Sequence, residues 1–240
     1  MSAVTKPEQL IAVILVREAH PRAVEVLLTR RPDELPVIGG KYGFPAGAVH
    51  KSDHAANLLR RCRGLSGEAA RKILGAHFSP REALGFWIAA VRTLFEEVGI
   101  LIAVNENGEP LAWAAELRVQ LLKKRAALRD GFLTFQSILE SENLFCDAAK
   151  FAYFCHWQTP VAPSSSADTR FFLAAVPDNH ASLAAASEIN TSSWLAPDRA
   201  LQLFNRGELS MAFPTFASLR TLADFGSVNS LLTEFQPKLT

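Results

Sequence analysis

Residues Gly85 to Ile102 read GFWIAAVRTLFEEVGILI, and the fold turns on this stretch. At 100° per residue, Trp87, Ala90, Val91, Leu94, Phe95 and Val98 fill one broad apolar side. Arg92, Thr93, Glu96 and Glu97 share the opposite arc. Just upstream, Ser79-Pro80-Arg81-Glu82 supplies an N-cap, a proline for the first turn and an acid, which together start a helix. Gly99 ends it where a left-handed residue is wanted, and the β-rich run Ile100-Leu101-Ile102 is expected to continue as a strand. Two adjacent carboxylates on such a helix suit a hard divalent cation, which takes oxygen ligands and bridges to substrate phosphates. Taken alone, Arg92 and Glu96 read better as an i,i+4 pair on a solvated face, worth about 0.2–0.5 kcal/mol, and only the stretch upstream reverses that.

Moving upstream, Leu10–Val16 (LIAVILV) is a continuous apolar run of strand length, of the kind buried on both faces. Val24–Thr29 reads as its hairpin partner. Between Arg30 and Gly47 the chain carries Pro32, Pro36, Gly39, Gly40, Gly43, Pro45 and Gly47, a density of breakers that predicts a long shaped loop of the functional kind. Asp53–Ala76 is expected to form two short helices, broken at Gly64 and Gly67. Downstream, 116–128 and 132–144 read as helices with a break near Asp130-Gly131. Lys150–Thr159 and Thr169–Val176 read as strands joined by a flexible loop at 160–167, and Ser193–Ala196 as a short strand. Helices are expected at Pro197–Asn205 and Thr215–Phe225.

The chain has 240 residues, 49% of them hydrophobic and 20% charged, enough apolar material for a large core. A formal charge of +1 gives no electrostatic case for a nucleic-acid or membrane partner. The basic runs at Arg60-Arg61 with Arg63 and at Lys123-Lys124-Arg125 are read as solvated helix faces. Three cysteines without C-x-x-C spacing argue for a reducing compartment. No apolar run reaches the ~18 residues of a membrane span, no signal peptide is visible, and the terminal PKLT is not a peroxisomal address. The expectation is a cytoplasmic protein, with a homodimer left open.

Gly43-Phe44-Pro45-Ala46-Gly47, then Asp53 six residues on, then Arg92-x3-Glu96-Glu97-x-Gly99-apolar, resembles the signature of the Nudix hydrolases. Asp53 stands where the family usually has glutamate, and 38 residues separate it from Arg92. That insertion resembles the long-loop, peroxisomal-type branch whose members act on coenzyme A and its thioesters. Leu27-Leu28-Thr29-Arg30-Arg31, Gly40 and Phe44-Pro45-Ala46-Gly47 match that branch's spacing, with departures at Pro32, Pro36 and Ala46. Trp157-Gln158-Thr159-Pro160, Asp168–Ala174, Trp194–Pro197 and Phe213-Pro214-Thr215 resemble the same branch in the same order.

The resemblance implies an α/β Nudix fold, an α/β/α sandwich with a mixed sheet, as a single domain over 1–240 with helical insertions near 54–80 and 111–145. It implies that Glu96, Glu97 and the Ala46 carbonyl hold Mg2+ or Mn2+. Arg92, oriented by Asp53, would pin the loop to the helix, and Arg30, Arg31 and Gly47 would meet the substrate. The substrate would be a small nucleotide diphosphate, best fitted by coenzyme A or acyl-coenzyme A, cleaved to 3',5'-ADP and (acyl-)phosphopantetheine. Thr93 stands where the family places a glutamate, so one negative charge is missing. A substitute base is sought at Glu188, equally readable as an exposed loop carboxylate. Two alternatives remain open: an impaired module that binds a nucleotide or acyl-coenzyme A as a sensor, and an ADP-ribose-type diphosphatase.

His50 and His54 have i,i+4 spacing but lack a third zinc ligand and are read as solvated imidazoles at a turn. His156 is read as a satisfied core histidine, and Trp157, Phe171, Phe172 and Trp194 as core. Ser164–Ser166 lacks the G-x-S-x-G elbow of a serine hydrolase.

Overall fold

The computed structural model describes residues 7–19, 23–35, 37–162, 165–177, 183 and 191–236. Strand β1 (Glu8–Ala19) lies at the centre of a seven-stranded mixed sheet. It pairs antiparallel with β2 (Ala23–Arg30) and parallel with β9 (Ser165–Ala175), which pairs antiparallel with β8 (Phe151–Ala162). At the other side β10 (Ser192–Leu195) adds to β2. The short strands β3 (Tyr42–Gly43) and β4 (Ala46–Ala48) hang the breaker-rich loop on β2 and β1 respectively. The parallel β1–β9 pair rests on a long crossover, which carries the helices.

Alternation along β1 explains the layers. Ile11, Val13 and Leu15 join the cluster built on helix α3 (Pro80–Val98), while Ala12, Ile14 and Val16 join the opposite cluster. That second face is covered by α6 (Pro197–Asn205), α7 (Phe213–Leu222) and α8 (Val228–Phe235), through Ala200, Leu201, Leu219, Leu222 and Leu231. The apolar run of β1 is thus buried on both faces, each large side chain contributing about 1.5–3 kcal/mol. Helix α8 has no counterpart in the sequence reading.

Helix α3 starts and stops where its caps dictate. Ser79 Oγ accepts from Glu82 N at 3.2 Å, the Glu82 carboxylate accepts from Ser79 N at 2.9 Å, and Gly99 is left-handed at φ 68°. Every residue from Ala83 to Phe95 is buried, Arg92 and Thr93 included. The polar arc expected opposite the apolar side is therefore covered at Arg92 and Thr93 and opens only at Glu96 and Glu97.

Ile100–Ile102 is buried but unpaired as a strand, and β6 begins one residue later at Ala103–Val104. The insertions hold the two expected short helices, α1 (Ala56–Leu59) and α2 (Gly67–Leu74), and then α4 (Ala115–Arg129) and α5 (Phe135–Ser141). Between them β5 (Cys62–Arg63), β6 and β7 (Phe145–Asp147) make a separate three-stranded sheet that the sequence does not announce. The loop expected at 160–167 is shorter, because β8 and β9 stay paired, across a register shift, as far as Ala162 and Ser165. Among the described residues, no helix is long and apolar enough to cross a membrane.

Candidate active site

Three pieces of chain meet along the C-terminal half of α3: the glycine-rich loop, the 3-10 turn Lys51–His54 and the helix itself. Arg92 joins them. Its Nε and Nη2 donate to the two carboxylate oxygens of Asp53 at 2.9 and 2.8 Å, in the bidentate arrangement that suits guanidinium and carboxylate. Nη2 also donates to the Ala48 carbonyl at 2.7 Å, and Nη1 donates to Glu96 at 2.6 Å. Asp53 further accepts from the His50 backbone N–H at 2.8 Å. Two residues lying 39 positions apart in sequence are thus fixed in one buried network. Burial pushes the Arg92 guanidinium toward losing its proton, but the hydrogen bonds and charge of Asp53, then Glu96, outweigh it and hold its pKa above the ordinary value.

The next turn is open. Glu97 is 44% exposed and lies 3.8 Å from Arg31 Nη1, beyond hydrogen-bonding reach. Burial raises its pKa, partly opposed by Arg31, Arg129 and Arg125, while water screening at this exposure tempers the shift. Arg31 Nη2 donates to the Phe44 carbonyl at 2.6 Å, which ties β2 to the loop, and burial lowers the pKa of this arginine. Arg30 instead reaches outward to Asp33.

Thr93 does not share the open face. It is wholly buried, its Oγ1 has no hydrogen-bond partner, and it lies beneath the loop, 3.1 Å from where a Cβ on Gly47 would stand. Ala46 sits between Gly47 and Pro45, whose carbonyl accepts from Val13 N at 2.8 Å. Glu188 lies outside the described residues.

Arg125 was grouped by the sequence with a solvated basic run and is instead buried. It donates to the Phe95 and Glu96 carbonyls at 2.6 and 2.8 Å, so a cation closes the C-terminus of α3 behind the two carboxylates. In the sequence it is one cation among several in a basic helix, with nothing to set it apart from Lys123, Lys124 or Arg129. Two histidine readings also change. His54 is half-buried, its ring edge-on to Phe86 and its Nδ1 unpartnered. His156 is a surface residue paired with Asp168 rather than a core histidine. Phe171 and Phe172 are core, while Trp157 and Trp194 are half-buried. Burial pushes the Cys62 thiol up to about 12 and the Cys155 thiol up to about 11, which makes both poor nucleophiles.

Among the described residues, no three His, Cys, Asp or Glu side chains form a metal cage. The donors at hand are two carboxylates and the orphaned Thr93 hydroxyl beneath the loop backbone. This set fits a hard cation that keeps waters and is completed by phosphate oxygens, rather than one caged by the protein alone.

A family described as the NUDT19 Nudix domain matches residues 68–222. The chain is 26% identical over 250 residues to the acyl-coenzyme A diphosphatase NUDT19 of Gallus gallus, covering 88% of this chain. It spans 64% of the length of that relative. A NUDIX hydrolase structure from Alicyclobacillus acidocaldarius superposes with a TM-score of 0.73 at 22% identity, over 96% of this chain and 97% of the other.

Proposed function

The chain belongs to the Nudix family, of the NUDT19 type, and on that premise we propose that it hydrolyses the diphosphate linkage of coenzyme A or an acyl-coenzyme A. The products are 3',5'-ADP and (acyl-)phosphopantetheine. The observation that carries this reading is the open Glu96–Glu97 end of α3, held against the glycine-rich loop by the buried Asp53–Arg92 pair. We read 1–240 as one Nudix domain in which α1–α2 and α4–α5 are insertions.

Glu96, Glu97 and the Ala46 carbonyl would hold Mg2+ or Mn2+. When bound, the ion neutralises charge on the phosphoryl oxygens and lowers the pKa of a bound water. The work of the protein is positioning. Arg92 fixes the height of the loop over the helix through Ala48 and Asp53, and Gly47, lacking a side chain, lets the loop settle directly on the buried Thr93, so that its backbone would meet the substrate's phosphates. Arg30, whose only described side-chain partner is the exposed Asp33, is free to exchange that carboxylate for a substrate phosphate, and Arg31 stands beside Glu97. Water adds to one phosphorus, the bridging P–O bond breaks, and the water's proton passes to a base, for which Glu188 is our candidate. A cleft of about 530 Å3, lined by Leu101, Val104, Leu111, Trp113, Val176 and Leu232 among others, would suit the apolar chain of an acyl substrate.

A second reading, a binding module with little turnover, is favoured by Thr93, because its hydroxyl cannot supply the charge of a carboxylate. A third, an ADP-ribose-type diphosphatase, differs only in the pocket. The test is turnover of coenzyme A, acyl-coenzyme A and ADP-ribose with Mg2+ and Mn2+. Metal-dependent release of 3',5'-ADP, lost with Glu97→Gln in a folded protein, is the expected result. Tight binding of coenzyme A without product from any substrate would establish the binding module instead.

A further inference from the structure

At the opposite end of α3 from Glu97 lies a second polar cavity of about 640 Å3. Its floor is the start of β1 and β9, where Gln9 and Asp168 are register partners and Ile11 pairs with Arg170. Its rim is the turn bearing Lys51 and His54 together with the first turn of α3, bearing Ser79, Arg81 and Glu82. From Glu82 to Glu97 the helix rises about 22 Å, so the two sites are separate.

The floor carries a buried cation. Arg170 is 5% exposed and stacks on two rings, its guanidinium carbon 4.7 Å from the centroid of Phe78 and 4.6 Å from that of Phe86. Among the described residues only its Nη1 has a hydrogen bond, to Asp168 at 3.0 Å, and Nε and Nη2 meet no acceptor among those residues. Both carboxylates in the lining are already engaged. Asp168 accepts from His156 as well as Arg170, and Glu82 accepts from the N–H and Oγ of Ser79. Against them stand Lys51, Arg81 and Arg170, three permanent charges, beside His54 and His77.

The His54 ring sits directly against α3, where a Cβ on Gly85 would come within 2.1 Å of its Nδ1. A buried guanidinium with spare donors, walled by aromatic rings and ringed by further cations, is built for an anion whose oxygens can take two parallel N–H donors.

We propose that this cavity is a binding site for a phosphate-class oxyanion, with Arg170 as its floor and Lys51 and Arg81 at its rim. It goes beyond the diphosphatase reading and does not depend on it. Two sources share the chemistry, free phosphate and the phosphate monoester of a nucleotide.

The test is calorimetric titration of the full chain in chelator with inorganic phosphate and, separately, adenosine 5'-monophosphate, following the Arg170 Nε–H resonance by NMR. Arg170→Gln should weaken phosphate binding about 10- to 100-fold, the loss of a hydrogen bond to a charged group. Lys51→Ala, at an exposed position, should weaken it roughly 2- to 5-fold. Glu97→Gln should leave it unchanged. A monoester bound more tightly than phosphate, and lost with Arg170→Gln, identifies the nucleotide as the source. Equal or tighter phosphate identifies the free ion. Phosphate affinity untouched by Arg170→Gln and Lys51→Ala, or lost only with Glu97→Gln, overturns the site. Should Arg170→Gln fail to fold, an unchanged affinity in Lys51→Ala is enough to overturn it. Because binding is read without metal or turnover, failure of the diphosphatase reading leaves this test intact.

Discussion

One turn of helix separates Arg92 from Glu96 and Glu97, yet the two ends of this polar stripe are built on opposite terms. At Arg92 the stripe is sealed: the side chains of Arg92 and Asp53 are 3% and 0% exposed, and guanidinium nitrogens meet acceptors on three separate pieces of chain. At Glu97 the side chain is 44% exposed and its nearest cation is 3.8 Å away. A buried pair contributes little net stability but fixes geometry, because leaving either charge alone is costly. An exposed carboxylate contributes little to stability either way, and is available to bind. The sealed end is a clamp, and the open end is where we propose that metal and substrate bind.

The largest effect should come from breaking the clamp on one side. Asp53→Asn keeps the size but strands the Arg92 charge in the interior, and should cost about 3–5 kcal/mol in urea unfolding. A loss under about 1 kcal/mol would mean that Arg92 finds enough compensation in Glu96 alone. Replacing both partners, Asp53→Leu with Arg92→Met, removes the stranded charge and should recover most of that stability. Turnover should stay low in the double variant, since the loop is no longer tied to the helix through Ala48. If activity returns with stability, the clamp has no positioning role.

How much of this could be read from the sequence depends on distance along the chain. The bounds of α3 were legible to the residue, because Ser79, Pro80, Glu82 and Gly99 act within one turn of where they sit. The Asp53–Arg92 contact was legible only through a family pattern, since a separation of 39 positions leaves no periodicity to follow. The β5–β7–β6 sheet escaped for a related reason: strands of two or three residues are too short to alternate, and their pairing joins distant segments. Arg125 escaped because a cation that caps another helix looks, in its own helix, like any surface arginine. Thr93 was misplaced by the helical wheel itself, which gives direction around an axis but not what lies outside it. Here β4 lies outside it.

A smaller effect tests where the sealed region ends. Gly47→Ala would put a methyl 3.1 Å from Thr93 Oγ1, closer than comfortable contact, and should cost about 1–3 kcal/mol as the loop shifts. Thr93→Ala in the same chain removes the obstacle, so the double-mutant cycle should show a coupling of at least about 0.5 kcal/mol. Additive costs would place the strain of Gly47→Ala elsewhere in the loop.

The smallest effect carries the finest distinction, because Thr93 stands on the border between clamp and open end. Its hydroxyl is buried without a partner, a state that costs about 1–3 kcal/mol relative to a satisfied group. Valine has the same branched shape without the hydroxyl, so Thr93→Val should stabilise the metal-free protein, by about 1 kcal/mol when the loop does not move. If the hydroxyl has a purpose, it is to face an ion or its water when substrate arrives, and the same substitution should then weaken Mn2+ binding in the presence of a non-hydrolysable diphosphate. Stability and affinity would move in opposite directions, which a merely structural threonine cannot produce. Thr93→Val that stabilises the protein and leaves Mn2+ affinity unchanged would assign Thr93 wholly to the sealed side and leave Glu96 and Glu97 as the proposed side-chain ligands.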